Sequence, residues 1–385
     1  MAYDLLAPPF EPGSLDLHAP AFEAWLNDAL ARRKARIAGR PQILIGASAI
    51  LAQPFVEAMI GLGQVVALLD NAAAGKSQHG VPVIGDGDLD GVLAATPDAV
   101  GVLCCGSENA INHFRRLWGQ RPQPLVTYFE VIAEDGGQVA GPHLQFLAGF
   151  SDLDGVRAAH AAARRVLHDR ESLRTLDAVM LYRLTWDGAL LDGVSRREKA
   201  IYFEPDVMPL TDDEVFIDGG AFDGDTVHDF VAATGGRYSH IHAFELDPRN
   251  ADAFQAKTRG VANVTLHSLG LWNGRGEVGL DSQGDNNGSR ISEASDLMAR
   301  VEALDNLDLG QPSLIKLDIE GAEVPALAGM RDTIQRHRPK LAVCAYHKAD
   351  DLVTIIDAIR AIRDDYSFTL RHYSPIVFDS VIYCT

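Results

Sequence analysis

The residues with the clearest chemical potential lie in the second half of the chain. The stretch "EVFIDGGAFDGDT", Glu214 to Thr226, is an apolar run that ends on Asp218 and passes at once into Gly219 and Gly220. Glycines at a strand end let the backbone turn sharply and come close to a ligand. A second acid, Glu245, ends the apolar run of "HIHAFELDP", 27 residues after Asp218. In an open parallel sheet, ligands bind outside the carboxyl ends of the strands, where strand order reverses. A carboxylate after the second strand can accept both hydroxyls of a ribose. Asp218 taken alone could merely cap the turn that follows it. The glycines do not have dinucleotide spacing, and no Lys-Ser/Thr pair follows for a nucleoside triphosphate. An acidic pocket suited to a ribose, a positive centre and a zwitterionic tail points to S-adenosylmethionine.

A second group of acids lies in "SLIKLDIEGAE". Strand alternation about Ile319 predicts that Asp318 and Glu320 face opposite sides. One would face the cofactor cleft, and the other would anchor the next helix. Glu323, in the first turn of that helix, complements its dipole. Paired carboxylates can also hold a divalent cation. No histidine or further aspartate sits at helpful spacing, so no metal ligand is assigned.

Methyl transfer to an alcohol depends mostly on positioning oxygen against the methyl group, and a general base assists as the bond forms. His347 leaves the run "KLAVCAYHK" at the same sheet edge, with an unperturbed pKa near neutrality. It is the expected base, with Asp318 as the competing candidate. Glu320, Lys348 and His372 are expected on the acceptor side, Lys348 as a partner of substrate or carboxylate. A lone histidine can equally be an ordinary core or surface residue.

The elements that must hold these residues read as α/β. Apolar runs alternate with helical spacing from Val215 onward, and residues 273 to 300, rich in Gly, Asn and Ser, read as a hairpin excursion. Only "PIVFD" separates "SFTLRHYS" from "SVIYCT", so the last pair reads as an antiparallel hairpin. A parallel sheet ending in one antiparallel strand is the outline of a class I methyltransferase. Upstream, "PQILIGASAI", "QVVALLD", "GVPVIGD", "AVGVLCCGS" and "PLVTYFEVI" predict a second, smaller Rossmann-like domain. The expected divisions are a leader and helix at 1–39, the first sheet domain at 40–150, a helical bridge at 151–212, and the second sheet domain at 213–385.

Composition limits the partners. The chain has 385 residues, is 47% hydrophobic and carries a formal net charge of −19. That acidity repels phosphate backbones and anionic lipid, so neither nucleic acid nor membrane is expected. No apolar run is long enough to span a bilayer. Four cysteines without metal-ligand spacing fit a reducing compartment, and the proline-rich, acidic start does not read as a signal peptide. A cytoplasmic protein is expected. Oligomeric state is open, and a homo-oligomer is compatible with the sequence.

The segment 202–226, "YFEPDVMPLTDDEVFIDGGAFDGDT", resembles the first motif of the FkbM family of S-adenosylmethionine-dependent O-methyltransferases. "FELDP", "IKLDIEGAE", "YHKADDL" and "LRHYS" resemble later family blocks in the same order, so the resemblance covers roughly 165–385. It implies methyl transfer to a hydroxyl, often on sugars, polysaccharides or polyketide-like products. It also implies that Asp218, Gly219, Gly220 and Phe222 line the methionine end of the cofactor. Glu245 would hold the ribose, and Ser268 and Leu269 would flank the adenine. The first domain resembles the sugar-binding N-terminal domain of bacterial sugar O-acyltransferases in "VVALLD" and "GVPVIGD", which implies a nucleotide-sugar site. Gly46-Ala47-Ser48-Ala49 lacks that domain's second and third glycines. The expectation is therefore an O-methyltransferase whose acceptor is a small molecule or glycan. The rivals are an NAD-dependent sugar-nucleotide oxidoreductase and a non-catalytic nucleotide-sugar sensor or scaffold.

Overall fold

The structure is a computed structural model that describes residues 13–47, 53–119, 121–134, 153–196, 201–281, 290–291 and 295–385. The chain divides into two compact units. The first comprises Met1–Arg157, Asp177–Arg197 and Ser374–Val377, and the second Ala158–Leu176, Glu198–Tyr373 and Phe378–Thr385. The stretch read as a bridge is thus shared between the units. Its Ala158–Leu176 portion belongs to the second unit, where Ser172 Oγ accepts from Leu370 N at 2.9 Å and Arg371 Nη1 lies 3.1 Å from Asp169 Oδ1.

In the first unit, strands β1 (Gln42–Ile45), β2 (Val65–Leu69), β3 (Ser77–Gln78), β4 (Val81–Ile84), β5 (Val100–Leu103) and β6 (Leu125–Thr127) form one sheet in the order β3-β4-β2-β1-β5-β6. All its pairs are parallel except β3 with β4. Two expectations change here. "PLVTYFEVI" is only half strand, because Thr127 and Glu130 form a capping box that starts a helix over Tyr128–Glu134: Thr127 N donates to Glu130 Oε2 at 2.8 Å and Glu130 N to Thr127 Oγ1 at 3.4 Å. The stretch read as a leader packs at its end and is not a free extension. Leu15 and Leu17 are buried, and Gly13 N and Leu15 N donate to Asp177 Oδ2 at 2.9 and 3.0 Å. Gly46, at φ +69°, has a packing role: a Cβ there would lie 2.9 Å from that of Cys105. Ser48 and Ala49 lie outside the described residues.

The second unit holds a seven-stranded sheet of β7 (Val215–Gly219), β8 (His240–Phe244), β9 (Val264–His267), β14 (Leu314–Leu317), β15 (Lys340–Cys344), β16 (Phe368–His372) and β17 (Ser380–Cys384). Its order is β16-β17-β15-β14-β7-β8-β9, and the pairs from β15 to β9 are parallel. β17 is antiparallel to both neighbours, as the short "PIVFD" connection requires. The apolar run "NVTLHSLGLW", residues 263–272, divides. After β9, a short β10 (Gly270–Leu271) leaves for a separate four-stranded sheet with β11 (Gly276–Asp281), β12 (Arg290–Ile291) and β13 (Met298–Glu302). The expected excursion is a three-stranded antiparallel arrangement, with β11 between β13 and β12, and most of the segment 281–295 lies outside the described residues.

The core of this unit is aromatic beneath the sheet, with Phe216 and Phe230 stacked at 4.6 Å and Phe203 edge-on to Phe216 at 5.6 Å. The amino edge is pinned by Glu214, which bonds Lys340 Nζ and Ser313 Oγ. Strand order reverses between β7 and β14, which places the crevice at their carboxyl ends. No described helix is long and apolar enough to cross a membrane.

Candidate active site

The site is built on a lysine that the sequence reading passed over. Lys316 lies in the fully buried strand β14, with its Nζ 3.1 Å from Asp218 Oδ1. The same ammonium donates to Gly219 O at 3.1 Å and Gly220 O at 2.7 Å. A buried charge is tolerated only when it is paired and bonded, so a lysine inside "LIKL" was itself a signal. Burial pushes the Asp218 carboxyl up, against the pull of Lys316. Burial would lower Lys316, but Asp218 and Asp318 outweigh it and push it up to about 12. Asp218 is therefore a buried anchor for the turn.

The turn can be made only by glycine at its tightest point. Gly220 has φ +76°, and a Cβ there would lie 1.9 Å from Asp318 O. Gly220 N and Ala221 N both donate to Phe244 O at 3.0 Å, tying the turn to the end of β8. Phe222, half-buried at φ 46°, donates its N–H to Glu245 Oε2 at 2.9 Å. Glu245 Oε1 accepts from Asp247 N at 2.8 Å and Asn250 Nδ2 at 3.4 Å. Burial pushes the Glu245 carboxyl up, and these donors counter it. A carboxylate offers about four acceptor positions, so Glu245 keeps capacity beyond its three protein donors. Ser268 is exposed and Leu269 half-buried just beyond β9, at the same edge.

Asp318 follows β14 and is held from several sides. Tyr202 Oη donates to Oδ2 at 3.0 Å, Tyr346 Oη donates to Oδ1 at 3.0 Å, and His347 Nε2 lies 3.3 Å from Oδ1. Burial opposes its charge, but His347, Lys316 and Tyr202 prevail and hold the carboxyl well below the usual range. Its side chain is 25% exposed while that of His347 is 0% exposed, so of these two only the carboxylate can be reached from solvent.

His347 is where the structure departs most from the expected base. Its Nδ1 lies 3.1 Å from Glu323 Oε1, and its Nε2 faces Glu320 Oε2 at 3.7 Å as well as Asp318. Burial alone would lower its pKa, but Glu323, Asp318 and Glu320 hold it well above the ordinary value. As placed, the ring is buried among three acids that favour its charged form.

The expectation that Asp318 and Glu320 face opposite sides also fails, since both contact the same imidazole nitrogen. β14 ends at Leu317, and Glu320 (φ 56°) and Gly321 (φ 91°) turn the chain through left-handed conformations, where strand alternation no longer holds. Glu323 does more than face the helix dipole: Oε1 accepts from Ile319 N at 3.0 Å and Gly321 N at 3.4 Å. Lys348 is exposed at this edge, and its Nζ bonds Gly321 O. His372 is not brought to the group. It is buried on β16, opposite Ser380 in register, with Nδ1 2.9 Å from Ser380 Oγ.

Two more acids join the group, one from just after His347 and one from the end of the chain. Asp351, pushed up to about 6 by burial and by Glu323, accepts from Lys348 N at 2.6 Å. Asp379, before β17, is pushed up to about 7 by burial and by Asp318. Glu323, His347 and Asp351 bring three potential metal-ligand atoms within 4.8 Å of one another; only Glu323 comes from a distant part of the sequence, since Asp351 stands four residues after His347. Within this group His347 Nδ1 and Glu323 Oε1 are 3.1 Å apart. The edge as a whole is rich in acceptors and suits hydroxyls and cationic groups.

A search of the curated proteins found no match to this sequence. Among solved structures, the chain is similar to methyltransferase FkbM from Methylobacillus flagellatus KT, with 23% identity, a TM-score of 0.72, and coverage of 94% of this chain and 93% of that one. That likeness shows the fold. An rRNA methylase from Streptococcus thermophilus (14% identity, 46% of this chain and 87% of that one, TM-score 0.30) and Aeropyrum pernix fibrillarin with natively bound S-adenosyl-L-methionine (14%, 52% and 74%, 0.31) are more distant and add nothing to it. The family model described as the methyltransferase FkbM domain matches residues 218–369, from the buried aspartate of the glycine turn to β16, and this part of the chain is an FkbM methyltransferase domain.

Proposed function

We propose that the chain transfers a methyl group from S-adenosylmethionine to a hydroxyl of a sugar, glycan or related natural product. The observation that carries this reading is Asp318: an ionised, partly exposed carboxylate beside the Gly219–Gly220 turn and at the same edge as Glu245. The cofactor fits the residues present, because Glu245 has acceptor capacity for ribose hydroxyls and Gly220 lets the turn pass close to the end of β14. Gly219, Gly220 and Phe222 would hold its amino-acid end, with Ser268 and Leu269 beside the adenine. When bound, it supplies an activated methyl group.

The chain's own work is then positioning. Asp318 accepts a hydrogen bond from the acceptor hydroxyl, which orients the oxygen, and takes up the proton as it is lost. Tyr202 and Tyr346 fix the carboxylate. His347 keeps it ionised and is a positioning residue. Glu320 and Lys348 flank the approach of a polyhydroxylated acceptor.

Mass spectrometry of the purified protein for co-bound S-adenosylhomocysteine tests the cofactor, and an NADH absorbance titration, expected to be silent, tests the oxidoreductase rival. Labelled S-adenosylmethionine offered with saccharides, amines and carboxylic acids tests the acceptor. Label confined to amines or carboxylates would overturn the hydroxyl assignment.

A further inference from the structure

The first unit contains a cavity of about 400 Å³ whose wall is made by Arg32, Arg33, Arg36, Arg40 and Arg121, with Trp25 beside them. Such a cluster of cations stands out in a chain of net charge −19. Asp187 is the single carboxylate among the residues lining it. Trp25, Arg32, Arg33 and Arg36 share one face of the helix Pro20–Ile37, at helical spacing. Arg40 comes just before β1 and Arg121 shortly before β6, so the cavity lies at the amino ends of those strands, not at the Gly46 turn.

The guanidinium groups are held from behind. Arg32 Nε lies 3.2 Å from Asp28, Arg33 Nε 3.3 Å from Glu134 and Arg121 Nη2 2.6 Å from Asp90, while Arg36 bonds Glu130. None of these four acids lines the cavity. Each grips part of a guanidinium group, which carries five donors. Among the described residues, Arg40 bonds only the carbonyls of Ala35 and Asp98, at 3.4 and 3.2 Å. Arg36 Nε is buried without an acceptor among the described residues, a state that buried donors seldom keep. Burial also pushes Glu130 up to about 7, against Arg36, so the acid behind Arg36 is only partly ionised at neutral pH.

We propose that this cavity binds a small organic anion carrying a phosphate or diphosphate group. Planar guanidinium forks match phosphate oxygens in pairs, and Trp25, Pro122 and Pro124 give an apolar wall for the organic part. The volume is that of a small-molecule site. The acidity of the rest of the chain disfavours long polyanions such as nucleic acid. The inference is independent of the methyl-transfer reading.

Calorimetry on the full chain, with inorganic pyrophosphate, uridine diphosphate and uridine as probes, tests it. Binding by either anion and not by uridine is expected. Uridine diphosphate alone would indicate a nucleotide, and pyrophosphate alone a smaller phosphorylated ligand. Arg40→Gln and Arg32→Gln should each weaken binding by about 10- to 100-fold, the scale of a charged hydrogen-bond pair, and leave S-adenosylhomocysteine binding unchanged. Neither arginine partners a buried acid, and two variants keep the test open if one does not fold. The proposal fails if neither anion binds, or if both folded variants bind as the unsubstituted chain does.

Discussion

Lys316 and Asp218 form a buried ion pair, 3.1 Å apart, directly under the turn that carries Gly219 and Gly220. The pair couples the stability of the sheet to the shape of the cofactor turn. Removing one partner of a buried pair costs roughly 3–5 kcal/mol, because the other charge is stranded. Lys316→Met should therefore destabilise the chain by about that much in urea unfolding, and Lys316→Met with Asp218→Asn by clearly less than the two single losses added. Additive losses would mean that the two side chains are not coupled.

Glu245 ties Phe222 and Asp247 together and keeps acceptor capacity at the crevice. Glu245→Ala should weaken S-adenosylmethionine binding by roughly 1.5–3 kcal/mol, the scale of hydrogen bonds to a charged group. Unchanged affinity by calorimetry in a folded variant sinks the ribose assignment.

The choice of base separates two outcomes. With Asp318 as the proton acceptor, Asp318→Asn should lower turnover by roughly 10²–10⁴-fold and leave cofactor affinity nearly intact. Because that carboxyl is held well below its usual range, turnover should stay flat as pH falls from about 8 to about 6, across the ordinary histidine pKa. A rate that falls with pH across that range, with Asp318→Asn active and His347→Asn inactive, would return the role to His347.

Stability should be greater at mildly acid pH. The Glu130 carboxyl is pushed up to about 7 in the folded chain, above its unfolded value of about 4.3. The unfolded chain gives up this proton first, so stability falls as pH rises from about 4.3 to about 7. His347 acts in the same direction at higher pH, since its raised pKa contributes stability that is lost as pH climbs through the folded value. Unfolding at pH 5.5 and 8.5 should favour the lower pH, and Glu130→Gln should narrow the gap by about 1–3 kcal/mol. A gap unchanged in that variant removes Glu130 as its source.

The sheet and the glycine turn were legible because strand–helix periodicity and a strand-end Asp-Gly-Gly are local patterns. Glu245 and Asp318 were legible for the same reason, each ending an apolar run. What could not be read was which side chains meet. His347 looked like a free strand-end histidine until Glu323, from another segment, closed on its second nitrogen. Glu320 was misplaced because alternation was carried past the last strand residue into a left-handed turn. Tyr202 and Tyr346 touch Asp318 from 116 and 28 residues away. The helix over Tyr128–Glu134 is different: its Thr-x-x-Glu start was local and open to reading, but β-favouring Tyr, Phe, Val and Ile obscured it.

The seat of β17 between β15 and β16 has a kinetic consequence. Apart from a single bridge between Leu167 and Phe368, β16 pairs with no described strand other than β17, so it has no strand partner until the residues after Asp379 have been synthesised and threaded back. Until then the edge of β15, next to His347, is also bare, and bare strand edges invite pairing with other chains. The order of synthesis is therefore not the order of assembly. The last-made strand completes the sheet from within, and its arrival also brings Asp379 to the acidic edge.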